Sequence, residues 1–176
     1  MTRRYALCCL LTLAPASLLF AKVITDYDHQ ADFSRYHTYS WIKVEAQDPL
    51  WNSRIKRAVE AQLSMKGWQE VPSGGDTDLT AIGSTHNQQS MQTLYNGMGG
   101  GWGWRRFGGG TGMATTTVQN IPVGRLLVDV FDGKSKQLVW RGISTDTLAG
   151  NPEKNEKKLR KSVAQMFKSF PPPSKG

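Results

Sequence analysis

The sequence predicts one α+β domain: an antiparallel sheet of about five or six strands with two amphipathic helices on one face. Three observations predict it. Short β-rich runs with alternating apolar and polar residues occupy both the beginning and the end of the chain. Two segments instead repeat their apolar residues at helical spacing, and each is opened by an acid or amide followed by proline, at Asp48-Pro49 and Asn151-Pro152. Finally, 176 residues with 39% hydrophobic and 20% charged composition suffice for one globular core and little more.

Residues 1–21 read as an export signal. Arg3 and Arg4 make a positive start, Tyr5 to Leu13 is almost wholly apolar, and small residues lead to Ala21. Cleavage is expected after Ala21, with Ala16 as the second choice. The run is interrupted by Thr12 and Pro15 and is short for a hydrocarbon layer of about 30 Å. No second apolar stretch follows, so no transmembrane segment is expected once the signal is gone. The 2 cysteines, Cys8 and Cys9, lie inside the run rather than at the cleavage point. They read as apolar filler that leaves with the signal, which argues for a periplasmic or secreted protein over a lipid-anchored one. No thiol then remains for a disulfide framework, a zinc ribbon or a cysteine nucleophile.

The domain is expected over residues 22–173, with 174–176 as a tail. Val23 to Asp28 reads as a first strand, Asp32-Phe33-Ser34 as a turn, and His37 to Val44 as a second strand with Tyr39, Trp41 and Lys43 on one face. The helix opened by Asp48-Pro49 buries Ile55, Val59 and Leu63, with Ala58 and Ala61 widening the stripe, and Gly67 supplies its left-handed end. Trp68 to Val71 is a short strand closed by a turn through Asp76, and Asp78 to Ser84 is another. Arg125 to Phe131 and Gln137 to Leu148 are joined by Asp132-Gly133-Lys134-Ser135, a hairpin signal. The second helix, from Asn151-Pro152, buries Leu159, Val163, Met166, Phe167 and Phe170 and turns Lys158 to solvent; Pro171-Pro172-Pro173 stops it.

Between these lies His86 to Pro122, too long for a structureless loop. Met91 to Tyr95 and Thr115 to Val118 can pair as the arms of a long hairpin. Its tip, Gly97 to Gly112, holds 9 glycines in 16 residues, interleaved with Trp102, Trp104, Arg105, Arg106 and Phe107. A phosphate-cradling loop would need a preceding strand, a following helix and fixed glycine positions. This tip has polar β-prone flanks on both sides. Aromatics beside Arg suit a sugar, a lipid–water interface or a partner protein, so these five residues are the candidate contact site.

Chemistry beyond binding finds little footing. His29, His37 and His86 lack the close spacing of metal ligands, so no metal is expected and no cofactor is implied. No Gly-x-Ser-x-Gly elbow occurs. Asp26 and Asp28 would share one strand face, as in many exposed strands, and turn chemistry accounts for Asp129 and Asp132. No catalytic residue is assigned.

Losing Arg3 and Arg4 with the signal leaves 20 Lys and Arg against 14 Asp and Glu, a net charge of +6. Lys154, Lys157, Lys158, Arg160, Lys161, Lys168 and Lys175 crowd the last 23 residues as a solvated helix face. The charge keeps the protein soluble and would favour an anionic envelope component, a lipid headgroup or a glycan. Export excludes nucleic acid.

The order of landmarks resembles a family. Asp26-Tyr27-Asp28 followed by Ala31-Asp32-Phe33-Ser34-Arg35-Tyr36-His37-Thr38-Tyr39-Ser40-Trp41 is similar to its opening motif, and Arg54-Ile55-Lys56-Arg57-Ala58-Val59 to its first helix. Thr115-Thr116-Thr117-Val118 after a Gly-rich tip, Leu126-Leu127-Val128-Asp129-Val130, Leu138-Val139-Trp140-Arg141-Gly142 and Phe170-Pro171-Pro172 complete it. The family is domain of unknown function 4136, exported or lipid-anchored proteins of the bacterial envelope, and the resemblance runs from about Val23 to Pro173. It implies an α+β envelope domain without an established reaction. Many relatives carry a lipobox cysteine that this chain lacks at the usual place. The expected function is therefore a non-catalytic module that binds an envelope protein or an anionic envelope component. The rival expectation is a hydrolase acting on an envelope polymer.

Overall fold

The computed structural model describes residues 21–95 and 114–173. The expected export signal and the Gly97–Gly112 tip, with Trp102, Trp104, Arg105, Arg106 and Phe107, lie outside the described residues.

Six strands and two helices follow one another as β1 (Lys22–Tyr27), β2 (Thr38–Ala46), α1 (Asn52–Met65), β3 (Gln69–Glu70), β4 (Thr77–Tyr95), β5 (Ala114–Asp132), β6 (Leu138–Thr147) and α2 (Pro152–Met166). The sheet order is β1-β6-β5-β4-β2-β3. Pairing is antiparallel from β1 through β4, but β2 runs parallel to both β4 and β3. The expectation of a wholly antiparallel sheet is corrected here. The chain leaves β2, crosses one face as α1 and re-enters the sheet in the same direction, the connection that parallel neighbours require.

The helices form as their patterns demand. Asp48 Oδ1 accepts from Leu50 N at 3.0 Å, but Pro49–Trp51 close a 3₁₀ turn first, so α1 proper starts at Asn52. Ile55, Ala58, Val59 and Leu63 are buried, whereas Ala61 is exposed. Two residues from both Val59 and Leu63, Ala61 is rotated about 200° off the buried stripe. Gly67 takes φ +81°, the left-handed conformation that ends the helix. In α2, Val163 and Met166 are buried, as is Phe167 at its C-terminal cap, and Leu159 packs partly against the same core. Phe170 lies past the helix end and folds back into that core.

Strand β2 carries a bulge between Trp41 and Lys43. Tyr39 and Trp41 face the helices as expected, but the extra residue at Ile42 sends Lys43 to the opposite face, beside Glu45, and turns Val44 inward. Gly142 of β6 lets α2 settle on the sheet: a Cβ there would lie 2.4 Å from Met166 Sδ.

Strands β4 and β5 pair without interruption from Thr77 opposite Asp132 to Tyr95 opposite Ala114. Both outrun their other partners, since β2 leaves β4 at Gly83 and β6 leaves β5 at Val123. Beyond both points, from Asn87 of β4 and Pro122 of β5, the pair continues alone as an arm, on the order of 30 Å for the nine β4 residues to Tyr95. No described element covers the sheet face opposite the helices.

Candidate functional site

Both helices enter the domain by the same device. After β2, Asn52 Oδ1 accepts from Ala46 N at 2.8 Å, just behind the Asp48-Pro49 turn. After β6, Asn151 Oδ1 accepts from Glu153 N at 2.8 Å, Pro152 opens α2, and Asn155 Oδ1 accepts from Ala149 N at 2.7 Å. The shared pattern is an Asp or Asn, then Pro, two free positions and Asn. In each case the second Asn ties the first helical turn back to the chain just leaving the strand. The two helix entries are thereby pinned over the same end of the sheet.

Beneath them the sheet offers almost no side chain. Gly83 of β4 and Gly124 of β5 face the helices, and a Cβ on either would come within 2.9 Å of Ile55 Cδ1 or Leu148 Cδ2 respectively. The result is a cavity of about 430 Å³, within the range of about 300–1,000 Å³ typical of small-molecule sites. Trp51, Ile55, Leu126, Leu148 and Leu159 make its walls apolar. Ser144 and Ser162, both buried, present hydroxyl-bearing side chains.

The rim is polar. Lys158 Nζ donates to Thr147 O at 2.8 Å and to Thr147 Oγ1 at 3.2 Å, and pairs with Asp146 Oδ1 at 3.3 Å. The expectation that Lys158 simply faces solvent is corrected: its side chain is 38% exposed and closes one side of the cavity mouth. Helical spacing places Lys158 beside Leu159 and Ser162, but only the approach of β6 reveals what the ammonium touches. Among the described residues lining the cavity there is no histidine, and the acids there are Asp48 and Asp146. The arrangement can take an apolar body beneath a polar rim.

The acids and histidines weighed for chemistry fall elsewhere. Asp26, Asp28, His29 and His37 are exposed and none lines the cavity. Asp26 Oδ1 accepts from Tyr27 N within β1, and Asp28 Oδ1 accepts from Gln30 N in the turn that follows it. His37 donates its amide to Asp76 Oδ2 at 3.0 Å, and His86 lies in β4 opposite Val123, at the base of the arm. Among the described residues no group of three ligating side chains gathers for a metal.

Asp129 is not a turn residue. It takes Arg141 Nε and Nη2 on its two oxygens, each at 2.7 Å, across β5 and β6. Asp132 does build the hairpin turn, accepting from Ser135 N at 2.7 Å and Lys134 N at 2.9 Å, but its other oxygen accepts from Tyr36 Oη at 2.8 Å and from Arg35. The Ser135 amide and the Tyr36 hydroxyl hold the Asp132 carboxyl far below the usual carboxylate range. Burial, with Glu60 and Glu70 nearby, pushes the Tyr39 phenol up to about 12. Asp129 and Asp132 tie neighbouring elements of the fold together.

The model of the domain of unknown function (DUF4136) matches residues 23–172. The chain belongs to the DUF4136 family. The structure of this DUF4136 domain is similar to that of a PDZ domain protein from Parabacteroides distasonis, with 12% identity, a TM-score of 0.58, and coverage of 89% of this chain but 36% of that one. The likeness is therefore one of fold, to about a third of a longer protein. Weaker likenesses include the PelC dodecamer from Paraburkholderia phytofirmans (12% identity, TM-score 0.46, 84% of this chain and 95% of that one). A lipoprotein from Neisseria meningitidis follows at 10% identity and TM-score 0.41, over 76% of this chain and 99% of that one. No curated protein matches the chain. Among the described residues no helix is long and apolar enough to cross a membrane.

Proposed function

We propose that this DUF4136 chain is a non-catalytic binding module of the bacterial cell envelope, exported by residues 1–21, and that the cavity at its helix entries is its binding site. The observation that carries this reading is the cavity itself: two helix entries held apart over a glycine floor, with apolar walls and one polar rim. Glycine at 83 and 124 keeps open a space that any other residue would narrow. Its chemistry suits a molecule or chain segment with an apolar body and one hydrogen-bonding group, the body against Trp51 and Leu159 and the polar group at Lys158 and Thr147. The hydrolase alternative is not favoured here, because Asp26, Asp28, His29 and His37, the residues weighed for it, do not line the cavity.

The arm would add a second contact. It ends toward the Gly97–Gly112 segment, whose Trp102, Trp104 and Phe107 offer apolar area and whose Arg105 and Arg106 attract an anionic headgroup or glycan. Liposome and cell-wall sedimentation tests that half of the reading. Replacing both tryptophans by Ala should weaken binding at every salt concentration, and replacing both arginines only at low salt, because screening sets in within about 10 Å at 0.1 M.

For the cavity, the decisive measurement is a nuclear magnetic resonance titration with single-chain alkyl amphiphiles of increasing length. Saturable shifts should concentrate at Trp51, Leu159 and Gly124, and Gly83→Ala should reduce the affinity at least several-fold. Shifts spread evenly over the surface, or an unaffected Gly83→Ala variant, would remove the cavity from the function.

A further inference from the structure

We propose that Ser144 and Ser162 form an inner hydrogen-bonding subsite of the helix-entry cavity, and that it takes the neutral carbonyl oxygen of an acyl ester. The proposal rests on the cavity being the binding site, and adds what the cavity selects.

Strand β6 runs toward the cavity mouth and α2 runs away from it, so their facing side chains meet in steps. At the mouth Asp146 of β6 meets Lys158 of α2, with Oδ1 and Nζ 3.3 Å apart. At the bottom Met166 lies against Gly142, where an added Cβ would come 2.4 Å from Met166 Cγ. Gly142, Ser144 and Asp146 alternate onto one face of the strand, and Lys158, Ser162 and Met166 recur every four residues along the helix. Ser144 and Ser162 are therefore the middle step of this ladder. Two strand residues or four helical residues put both about 6–7 Å below the ion pair.

Both serines line the cavity, and they are only 5% and 4% exposed. The side-chain hydrogen bonds at this end of the domain belong to Asn52, Asn155 and Lys158, and among the described residues neither serine hydroxyl takes part in one. Buried hydroxyls are normally paired, because an unmade bond leaves the loss of water uncompensated. Two unpaired ones facing a single cavity mark the place where a ligand atom completes them.

The surroundings decide the chemistry of that atom. Ser144 is in register with Leu126 of β5, and Leu159 precedes Ser162 on the same stripe of α2. Of the charged side chains that line the cavity, Asp146 and Lys158 pair at the mouth, and Asp48 and Arg125 are exposed. A carboxylate or an ammonium at the serines would lose its water without gaining a counter-charge, a cost that a neutral oxygen escapes. Each hydroxyl donates one proton, so the two together satisfy both lone pairs of one carbonyl oxygen. The apolar walls then take the chain attached to it.

A nuclear magnetic resonance titration of the chain from Lys22 to Gly176, which holds every described element of the fold, tests this with three probes. They are methyl octanoate, octanoate at pH 8, and n-octane supplied through the vapour. Read at Gly124 and Leu159, methyl octanoate should bind at least tenfold more tightly than octanoate. Ser144→Ala and Ser162→Ala should each weaken methyl octanoate about three- to tenfold, the range of one hydrogen bond, and leave octane within about twofold. Retained octane binding also shows that each variant is folded with its cavity open. Octanoate binding as tightly as the ester would overturn the inner subsite, as would serine variants that hold the ester like the parent; the cavity would still stand as the binding site. If neither methyl octanoate nor octane moves those signals, the cavity reading itself falls and the subsite with it.

Discussion

The two ends of the helix layer are built from opposite materials. At the end where α1 and α2 finish, the space above the sheet is filled with rings. Phe170 lies 5.0 Å from both Trp68 and Trp140, 5.2 Å from Phe167 and 6.1 Å from Phe33, mostly edge-on, the favoured geometry for aromatic pairs. At the end where the helices begin, the sheet presents Gly83 and Gly124 and the cavity remains. The same two helices cover both ends, so the contrast comes from side-chain volume alone. A domain can concentrate its stability in one half and leave the other under-packed, and the under-packed half is where a ligand can enter without unfolding anything.

The comparison breaks most visibly at the filled end. Phe170→Ala should cost about 3–5 kcal/mol, as should Phe167→Ala, and chemical denaturation should show the midpoint falling without a change in slope. A loss below about 1 kcal/mol for both would mean that the aromatic end does not carry the stability assigned to it.

Asp132 sharpens the same end by a different route, because it anchors Tyr36 and Arg35 to the β5–β6 turn. Asp132→Asn should cost about 2 kcal/mol at neutral pH. Its carboxyl is held below the ordinary value when folded, so its contribution is fully present above the unfolded pKa of about 4 and is lost as pH falls through that value toward the folded one. The parent should therefore lose stability on acidification from pH 5 to pH 3, and the variant should lose less. Parallel melting curves over that window would contradict the anchoring role.

The smallest effects belong to the open end. Gly83→Ala displaces only the tip of Ile55, which can swing into the cavity, so stability should change by about 1 kcal/mol or less. Lys158→Ala removes a half-exposed ion pair and two hydrogen bonds to Thr147, again worth about 1 kcal/mol or less. Thermal melts check both. If either variant lost as much as Phe170→Ala, the cavity end would be part of the stability core and the contrast between the two ends would fail.

Local patterns reached far in this chain. Strand alternation located β1, β2 and β6, and the paired proline caps placed both helices. The stripe from Leu159 to Phe170 marked Phe167 and Phe170 at the aromatic end, whereas Phe33, Trp68 and Trp140 read only as turn and strand residues. These signals are legible because periodicity and capping are properties of neighbouring residues. The reach of β4 and β5 was harder to read. Asn87 to Gln89 lie exposed on both faces, so Ser84 to Ser90 shows no apolar alternation to mark it. The bulge at Ile42 was invisible for a related reason, since only pairing with β4 reveals the extra residue.

The sequence by itself determined the family, two capped helices, most of the strands and two rings of the aromatic end, Phe167 and Phe170. Tertiary structure alone decided that β2 runs parallel to β4, that Asp129 serves Arg141 rather than a turn, and that Lys158 meets Thr147 and Asp146 at a cavity mouth. It also decided that Gly83 and Gly124, 41 residues apart in the chain, form one floor. The physical reason is the same in each case. Propensity and capping act over a few residues, whereas a cavity or a cross-strand ion pair is set by which distant segments the packing brings together.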